Sequence, residues 1–164
     1  MPLSKKEERV WFLLRIGLGL IFLWAFLDKL LGLGFATSAD KAWISGGSPT
    51  AGFLSSGVYG PFAGFYHSLA GSAVVDWLFM LGLLGIGISL VLGIFMRVAC
   101  YGGVVLMILI WSSLLPPKNH PFLDEHIIYL LVFIVLAFSN AGDYFGLGKI
   151  WGKTSLVKKN KWLK

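Results

Sequence analysis

The sequence predicts an all-α integral membrane protein, a bundle of four transmembrane helices with a long structured extracytoplasmic loop between the first and the second. Two observations of composition favour this class: 57% of the 164 residues are hydrophobic, and only 13% are charged. The third is the position of the charges, because Arg97 is the only one between Asp76 and Lys118. A water-soluble domain rarely has such a composition. We therefore predict one membrane domain over residues 1–148, followed by a basic cytoplasmic tail over 149–164.

Four apolar runs are long enough to cross a hydrocarbon layer of about 30 Å, which needs roughly 20 residues in a helix. They cover residues 10–31, 74–95, 98–115 and 124–141. The first run is too long for the apolar core of a signal peptide, and Arg15 lies inside it. We expect this first span to remain in the mature protein.

The lysines and arginines near the spans predict the orientation. The tail carries six lysines and no acid, and Lys5, Lys6 and Arg9 precede the first span. Since four spans place both termini on one side, the excess of positive charge predicts that both termini are cytoplasmic, in a prokaryotic inner membrane. The expected partner of the tail is membrane lipid with anionic headgroups, and no nucleic acid is expected.

The first connection, residues 32–72, is too long and too aromatic for a structureless loop. Ser48 followed by Pro49 is typical of a helix start, and Pro61 marks another. Six aromatic residues recur along the segment: Trp43, Phe53, Tyr59, Phe62, Phe65 and Tyr66. We expect short helices that lie on the outer face of the bundle as a cap, with a sheltered pocket beneath.

The single cysteine, Cys100, lies in the third span. It excludes an internal disulfide and a CxxC dithiol within this chain. The glycines of the spans, such as Gly82, Gly85 and Gly87, favour close helix packing and not a dinucleotide site, because no strand precedes them.

Ionisable residues within spans are costly in lipid and should face the bundle interior. Arg15 near the inner end of span one and Asp143 after span four are predicted to form a structural ion pair. At the outer end, Asp28 and Lys29 close span one. Arg15 and Lys29 are fourteen residues apart, about 320° of helical rotation, so they should share the inward face.

The start of the fourth span, Asp124-Glu125-His126, has two interpretations. Asp124 fits a helix N-cap, and the acids are stabilised by the helix dipole. A metal site with His120 would have no strong ligand spacing, and haem needs two facing histidines. We therefore predict no metal, haem or flavin.

The alternative is a binding slot at this level. The expected walls are Trp24, His126, Tyr129 and the cap aromatics, with His67 of the cap as a further binding candidate. Asp28, Lys29 and Asp124 are the expected polar ends. A quinone needs such walls together with hydrogen-bond donors and an ionisable group, and so does another small hydrophobic ligand.

Several segments together resemble the DoxX/DoxD superfamily of four-helix membrane proteins. They are LLRIGLGLIFLWAFLDKLLGLGF (13–35), AWISGGSPTAGFL (42–54), GPFAGFYHSLAGSAVVDWLFMLGLLGIGISLVLGIFMR (60–97) and NHPFLDEHIIYLLVFIVLAFSNAGDYFGLG (119–148). The family-like elements fall on Arg15, Gly17, Gly19, Asp28, Lys29, Asp124, Glu125, His126 and Tyr129. The resemblance implies the small membrane subunit of a thiosulfate:quinone oxidoreductase, which oxidises thiosulfate to tetrathionate, reduces membrane quinone and is described with a second subunit.

Under this hypothesis, His126 and Tyr129 donate hydrogen bonds to the quinone and Asp124 or Glu125 accepts a proton. Lys29 attracts the anionic sulfur substrate. Other relatives in the superfamily belong to oxidative-stress complexes, which implies the alternative of a non-enzymatic accessory protein of a redox or stress-response complex. Transport of a small solute or lipid is less favoured, because polar residues form a seam on one span only. The sequence leaves open a homo-oligomer.

Overall fold

The computed structural model describes residues 4–164, and every regular element in that part of the chain is helical. The helices are α1 (Lys5–Leu31), α2 (Ala63–Ser68), α3 (Ala73–Leu92), α4 (Met96–Ser113), α5 (Glu125–Phe138), α6 (Gly148–Trp151) and α7 (Ser155–Lys159). Three of them, α1, α3 and α4, are long and apolar enough to cross a membrane. The predicted all-α membrane protein is confirmed at the level of these three helices.

Helix α1 has well-defined ends. At its start the Ser4 hydroxyl accepts from the Glu7 amide at 3.3 Å and the Glu7 carboxylate accepts from the Ser4 amide at 2.6 Å. This capping box starts the helix five residues before the predicted span, because it satisfies amides that a helix start leaves unpaired. At the other end Gly32 adopts φ 66°, and its amide donates to the Asp28 carbonyl. Glycine has no Cβ and takes this left-handed conformation without strain, so the chain turns here.

Helix α5 is shorter than the predicted fourth span. It has 14 residues, about 21 Å of helix, where the sequence predicted a span over 124–141. The helix ends at Phe138 because Asn140 adopts φ 50° and leads into a 3₁₀ turn, Ala141–Asp143. Asparagine favours this left-handed position after a helix.

The long helices pack as two close pairs, α1 with α3 and α4 with α5. Small residues permit the close approach: a Cβ at Gly87 would overlap the side chain of Leu23, and one at Gly103 would overlap the ring of Phe133. The pairs meet where Phe22 lies edge-on to Phe133 with 5.4 Å between ring centroids. Helices α3 and α4 contact each other less extensively, which leaves a groove between them.

The segment between α1 and α3 contains 3₁₀ turns at Ala39–Lys41 and Trp43–Ser45, a π-helical turn at Phe53–Gly57, and α2. Leu54, Val58 and Tyr66 form a small buried cluster of their own. The segment is therefore folded over one end of the long helices, and we call residues 32–72 the cap.

Candidate functional site

An apolar groove of about 820 Å³ lies between α3 and α4, beneath the cap. Its walls include Phe79, Leu81, Gly82, Ile86, Val105 and Leu106, and its roof includes Pro49, Thr50, Leu54 and Tyr66. Rim residues such as Leu78 and Val105 are also exposed, at 68% and 56%. Because these helices are candidate membrane spans, the groove opens sideways towards lipid. Its volume is in the range of pockets that hold small molecules. We call it the α3–α4 groove.

Lys29 supplies the positive charge of the groove. It lies near the end of α1 and lines the groove, with its Nζ 6.0 Å from the centroid of the Phe79 ring. Among the described residues, no carboxylate lies within 4.0 Å of this ammonium. An ammonium without a carboxylate partner in apolar surroundings can stabilise a ligand oxygen.

The roof of the groove is tied to α3 by Asp76. One oxygen of this carboxylate, Oδ1, accepts from the Thr50 hydroxyl at 2.6 Å, the Ser48 hydroxyl at 2.9 Å and the Thr50 amide at 3.2 Å. Asp76 is only 6% exposed, so these bonds form in a sheltered site, where an acceptor with charge binds most strongly. The Asp76 carboxylate therefore holds residues 48–50 of the cap over the groove through these hydrogen bonds.

Tyr66 ties the roof to α4. Its hydroxyl donates to the Leu109 carbonyl at 2.9 Å and lies 2.6 Å from the Ser112 Oγ. Leu109 also lines the groove. The cap is thus bonded to both helices that form the groove, by Asp76 on one side and Tyr66 on the other.

At the head of α5, Asp124 is the helix N-cap. Its Oδ1 accepts from the amides of His126 at 3.0 Å and Ile127 at 3.4 Å, and its Oδ2 lies 2.9 Å from the His126 Nδ1. The carboxylate fixes the imidazole through Nδ1, which leaves Nε2 to accept or donate a proton. Glu125 is exposed. The first interpretation of this stretch, a helix cap, describes the geometry of Asp124.

The same three side chains, Asp124, Glu125 and His126, bring potential ligand atoms within 4.8 Å of one another. Three consecutive residues at a capped helix start produce such a cluster without a metal, because the cap itself requires the acid. Both oxygens of Asp124 also have partners in this arrangement. We assign the cluster to the helix cap and the Asp–His pair.

The other predicted site residues are dispersed. Asp28 is 2% exposed, and its carboxylate accepts from the amides of Phe35 at 3.2 Å and Ala36 at 2.9 Å, so it fixes the turn after α1. Trp24 is 46% exposed and lies edge-on to Phe35. His67 is exposed on α2. Tyr129 packs half-buried against the core.

Of the residues predicted for the slot, Lys29 and three of the cap aromatics, Phe53, Phe65 and Tyr66, line the α3–α4 groove as the structure describes it. Sequence reasoning missed Asp76, because an acid in the first turn of a helix is already explained by the dipole. The signal that could have identified it is the Ser48-x-Thr50 pair in the cap, which offers hydroxyl donors close to a helix start.

The predicted ion pair between Arg15 and Asp143 is wrong. Arg15 is fully buried, and its guanidinium donates to the carbonyls of Leu90, Val91 (2.9 Å) and Tyr144 (3.3 Å). Asp143 instead accepts from Lys164 Nζ at 2.8 Å. The physical reason is that the end of α3 presents unpaired carbonyls and the negative end of its dipole, which attract the arginine.

Comparisons of the chain with protein-family models, with curated proteins and with solved structures found no match.

Proposed function

We propose that the chain is a four-helix membrane bundle of the DoxX/DoxD type, with α1, α3, α4 and α5 in the bilayer. The cap would face the extracytoplasmic side of a prokaryotic inner membrane. The charges support this orientation: Lys5, Lys6 and Arg9 are exposed at the start of α1, and the lysine-rich end of the chain packs at the same end of the bundle, where Phe12 contacts Phe145. An excess of lysine and arginine is typical of cytoplasmic ends.

Within this bundle, the α3–α4 groove would bind a membrane quinone. The observation that carries the proposal is an apolar groove of about 820 Å³ that opens towards lipid and contains the ammonium of Lys29. A quinone enters from the membrane, its ring and tail need apolar walls, and its carbonyl oxygens accept hydrogen bonds. Lys29 would donate to one carbonyl oxygen, which moves the quinone site from the slot that the sequence predicted to the groove.

The reaction would be the one that the resemblance to DoxD proteins implies. Two thiosulfate ions each lose one electron and join through a new S–S bond to form tetrathionate. The quinone gains these two electrons and two protons from water to become quinol. A second subunit would carry out the thiosulfate half of the reaction, so this chain would act as the quinone-binding membrane subunit.

His126 would take the role of proton donor at the outer surface. Its imidazole is fixed by Asp124 through Nδ1, which leaves Nε2 as the ring nitrogen that would exchange a proton with water. Glu125, exposed beside it, would hold the next proton.

The test is the affinity for a short-chain quinone analogue, measured with the purified protein in nanodiscs. Lys29→Gln is expected to weaken binding by roughly 10- to 150-fold, because a hydrogen bond from a charged donor contributes about 1.5–3 kcal/mol. Lys41→Gln is the matched control, because Lys41 is an exposed lysine of the cap that does not line the groove. Equal affinities of wild type and Lys29→Gln would contradict the assignment of Lys29.

The activity is tested separately by thiosulfate-dependent reduction of the same analogue, with the partner subunit present. Asp124→Asn combined with His126→Ala is expected to slow the turnover without changing the affinity for the analogue. Turnover unchanged by this double substitution would refute the proton-donor role.

A non-enzymatic accessory protein is the second candidate. It is favoured by Asp28 and Asp124, two acids predicted to be catalytic whose oxygens are bonded to backbone amides in the structure. This candidate predicts copurification with a redox partner, and no quinone reduction by the isolated chain or by the complex.

A further inference from the structure

The C-terminal segment folds against one end of the bundle. Residues 148–163, which we call the C-terminal platform, form α6, α7 and a final 3₁₀ turn. The Leu147 amide donates to the carbonyl of Leu92, the last residue of α3, at 2.8 Å. The Trp151 indole N–H donates to the Leu163 carbonyl at 2.8 Å. These bonds attach the start of the platform to α3 and close it on itself.

Aromatic contacts attach the platform to α4. The ring of Trp151 lies 4.3 Å from that of Phe95, and the ring of Trp162 stacks on Tyr101 at 6.2 Å between centroids. Val157 is buried, at 3% exposure. The platform therefore has a fixed inner face, which packs beneath the junction of α3 and α4.

The outer face of the platform combines positive charge with apolar side chains. Five lysines are exposed: Lys149, Lys153, Lys158, Lys159 and Lys161. No acidic residue follows Asp143 in the sequence. Ile150 is 67% exposed, Leu156 51% and Trp162 50%. Lysines surrounding exposed aliphatic and indole groups are typical of surfaces at the membrane interface.

The position of the platform in the bundle also favours a place at the membrane interface. The residue before the platform, Leu147, is hydrogen-bonded to the end of α3, a helix long and apolar enough to cross a membrane. The segment just before the platform contacts the first turns of α1 through Phe145 and Phe12, at 5.5 Å between ring centroids. With α3 in a bilayer, the lysines of the platform would lie at the level where hydrocarbon meets headgroups.

We infer that the C-terminal platform binds anionic phospholipid headgroups of the leaflet at this end of the bundle. The lysines attract the phosphates, while Ile150, Leu156 and Trp162 lie at the boundary of the acyl chains. A soluble acidic protein would explain the charge, but it would leave the exposed aliphatic groups in water next to a membrane that can bury them. This inference does not depend on a quinone in the groove.

The test is native mass spectrometry of the full-length protein in detergent, titrated with phosphatidylglycerol or with phosphatidylcholine. We expect the wild type to bind phosphatidylglycerol preferentially. A lysine near an anionic surface contributes on the order of a fivefold change in binding, so Lys158→Gln with Lys159→Gln should weaken phosphatidylglycerol binding by roughly 5- to 25-fold. These lysines are exposed and form no ion pair with any residue between 4 and 164, so the substitutions should leave the fold intact, as size-exclusion chromatography would verify.

The matched control is Lys41→Gln with Lys118→Gln, two exposed lysines outside the platform. It should bind phosphatidylglycerol like the wild type. The inference is overturned if the wild type binds both lipids equally, or if the two double variants lose the preference to the same extent. The second result would show that net charge matters and the platform does not.

Discussion

The hydrogen bonds from Ser48 and Thr50 to Asp76 give the sharpest prediction about the cap. Asp76→Ala removes the oxygen that accepts from the Thr50 amide, the Thr50 hydroxyl and the Ser48 hydroxyl. The hydroxyls can rotate to other acceptors, but the amide cannot. Residues 48–57, which include part of the roof of the groove, should therefore open more often.

The magnitude follows from the bond that cannot be replaced. A hydrogen bond to a charged acceptor contributes about 1.5–3 kcal/mol, and each 1.36 kcal/mol is a factor of ten. We expect amide protection in residues 48–57 to fall by roughly 10- to 150-fold in Asp76→Ala. Asp76→Asn retains a carbonyl acceptor without charge, and its loss should be smaller.

The assay is hydrogen–deuterium exchange of the protein in nanodiscs, followed by mass spectrometry of peptides from the cap and from α3. Asp40→Asn is the control, because Asp40 is an exposed acid of the same cap. If exchange in residues 48–57 is equal in Asp76→Ala and wild type, Asp76 does not hold the roof and the reasoning is refuted.

Two further predictions concern stability, measured as the midpoint of thermal unfolding in detergent. Gly103→Ala should lower it at a cost of about 1–3 kcal/mol of overpacking, because the new Cβ would overlap the Phe133 ring. Gly102→Ala should not, because its Cβ would meet open space and alanine favours a helix. Arg15→Met should also lower the midpoint strongly, since the bonds to the α3 carbonyls are buried, whereas Asp143→Asn should cost less than about 1 kcal/mol. Equal effects within either pair of variants would contradict the packing or the arginine contacts described above.

The helices could be predicted from the sequence because apolar length and the absence of charge are local properties. The ends were less predictable. The start of α1 depends on the reciprocal bonds of Ser4 and Glu7, and the end of α5 depends on the left-handed backbone of Asn140. Each helix end depends on one or two residues, and the length of an apolar run does not identify them.

The candidate site could be predicted in part. Lys29 was selected because helical spacing placed it on the inward face of α1, and it lines the groove. The groove itself depends on how loosely α3 and α4 pack, which is a tertiary property. The ion pair of Arg15 with Asp143 does not form because the carbonyls at the end of α3 bind the guanidinium, and opposite charge alone does not predict those carbonyls. Another carbonyl at the end of α3, that of Leu92, accepts a hydrogen bond from the Leu147 amide.

The measurement that tests the central claim most directly is photo-crosslinking with a quinone analogue that carries an azide on its ring, in nanodiscs, followed by peptide mapping. Our account predicts labelling within the groove, on α3 and α4 between residues 78 and 113 and on the roof near Thr50. It also predicts that excess unlabelled quinone analogue competes for this labelling and that Lys29→Gln reduces it. Competed labelling at the head of α5 around His126, with none in the groove, would contradict the claim and return the site to the slot that the sequence predicted.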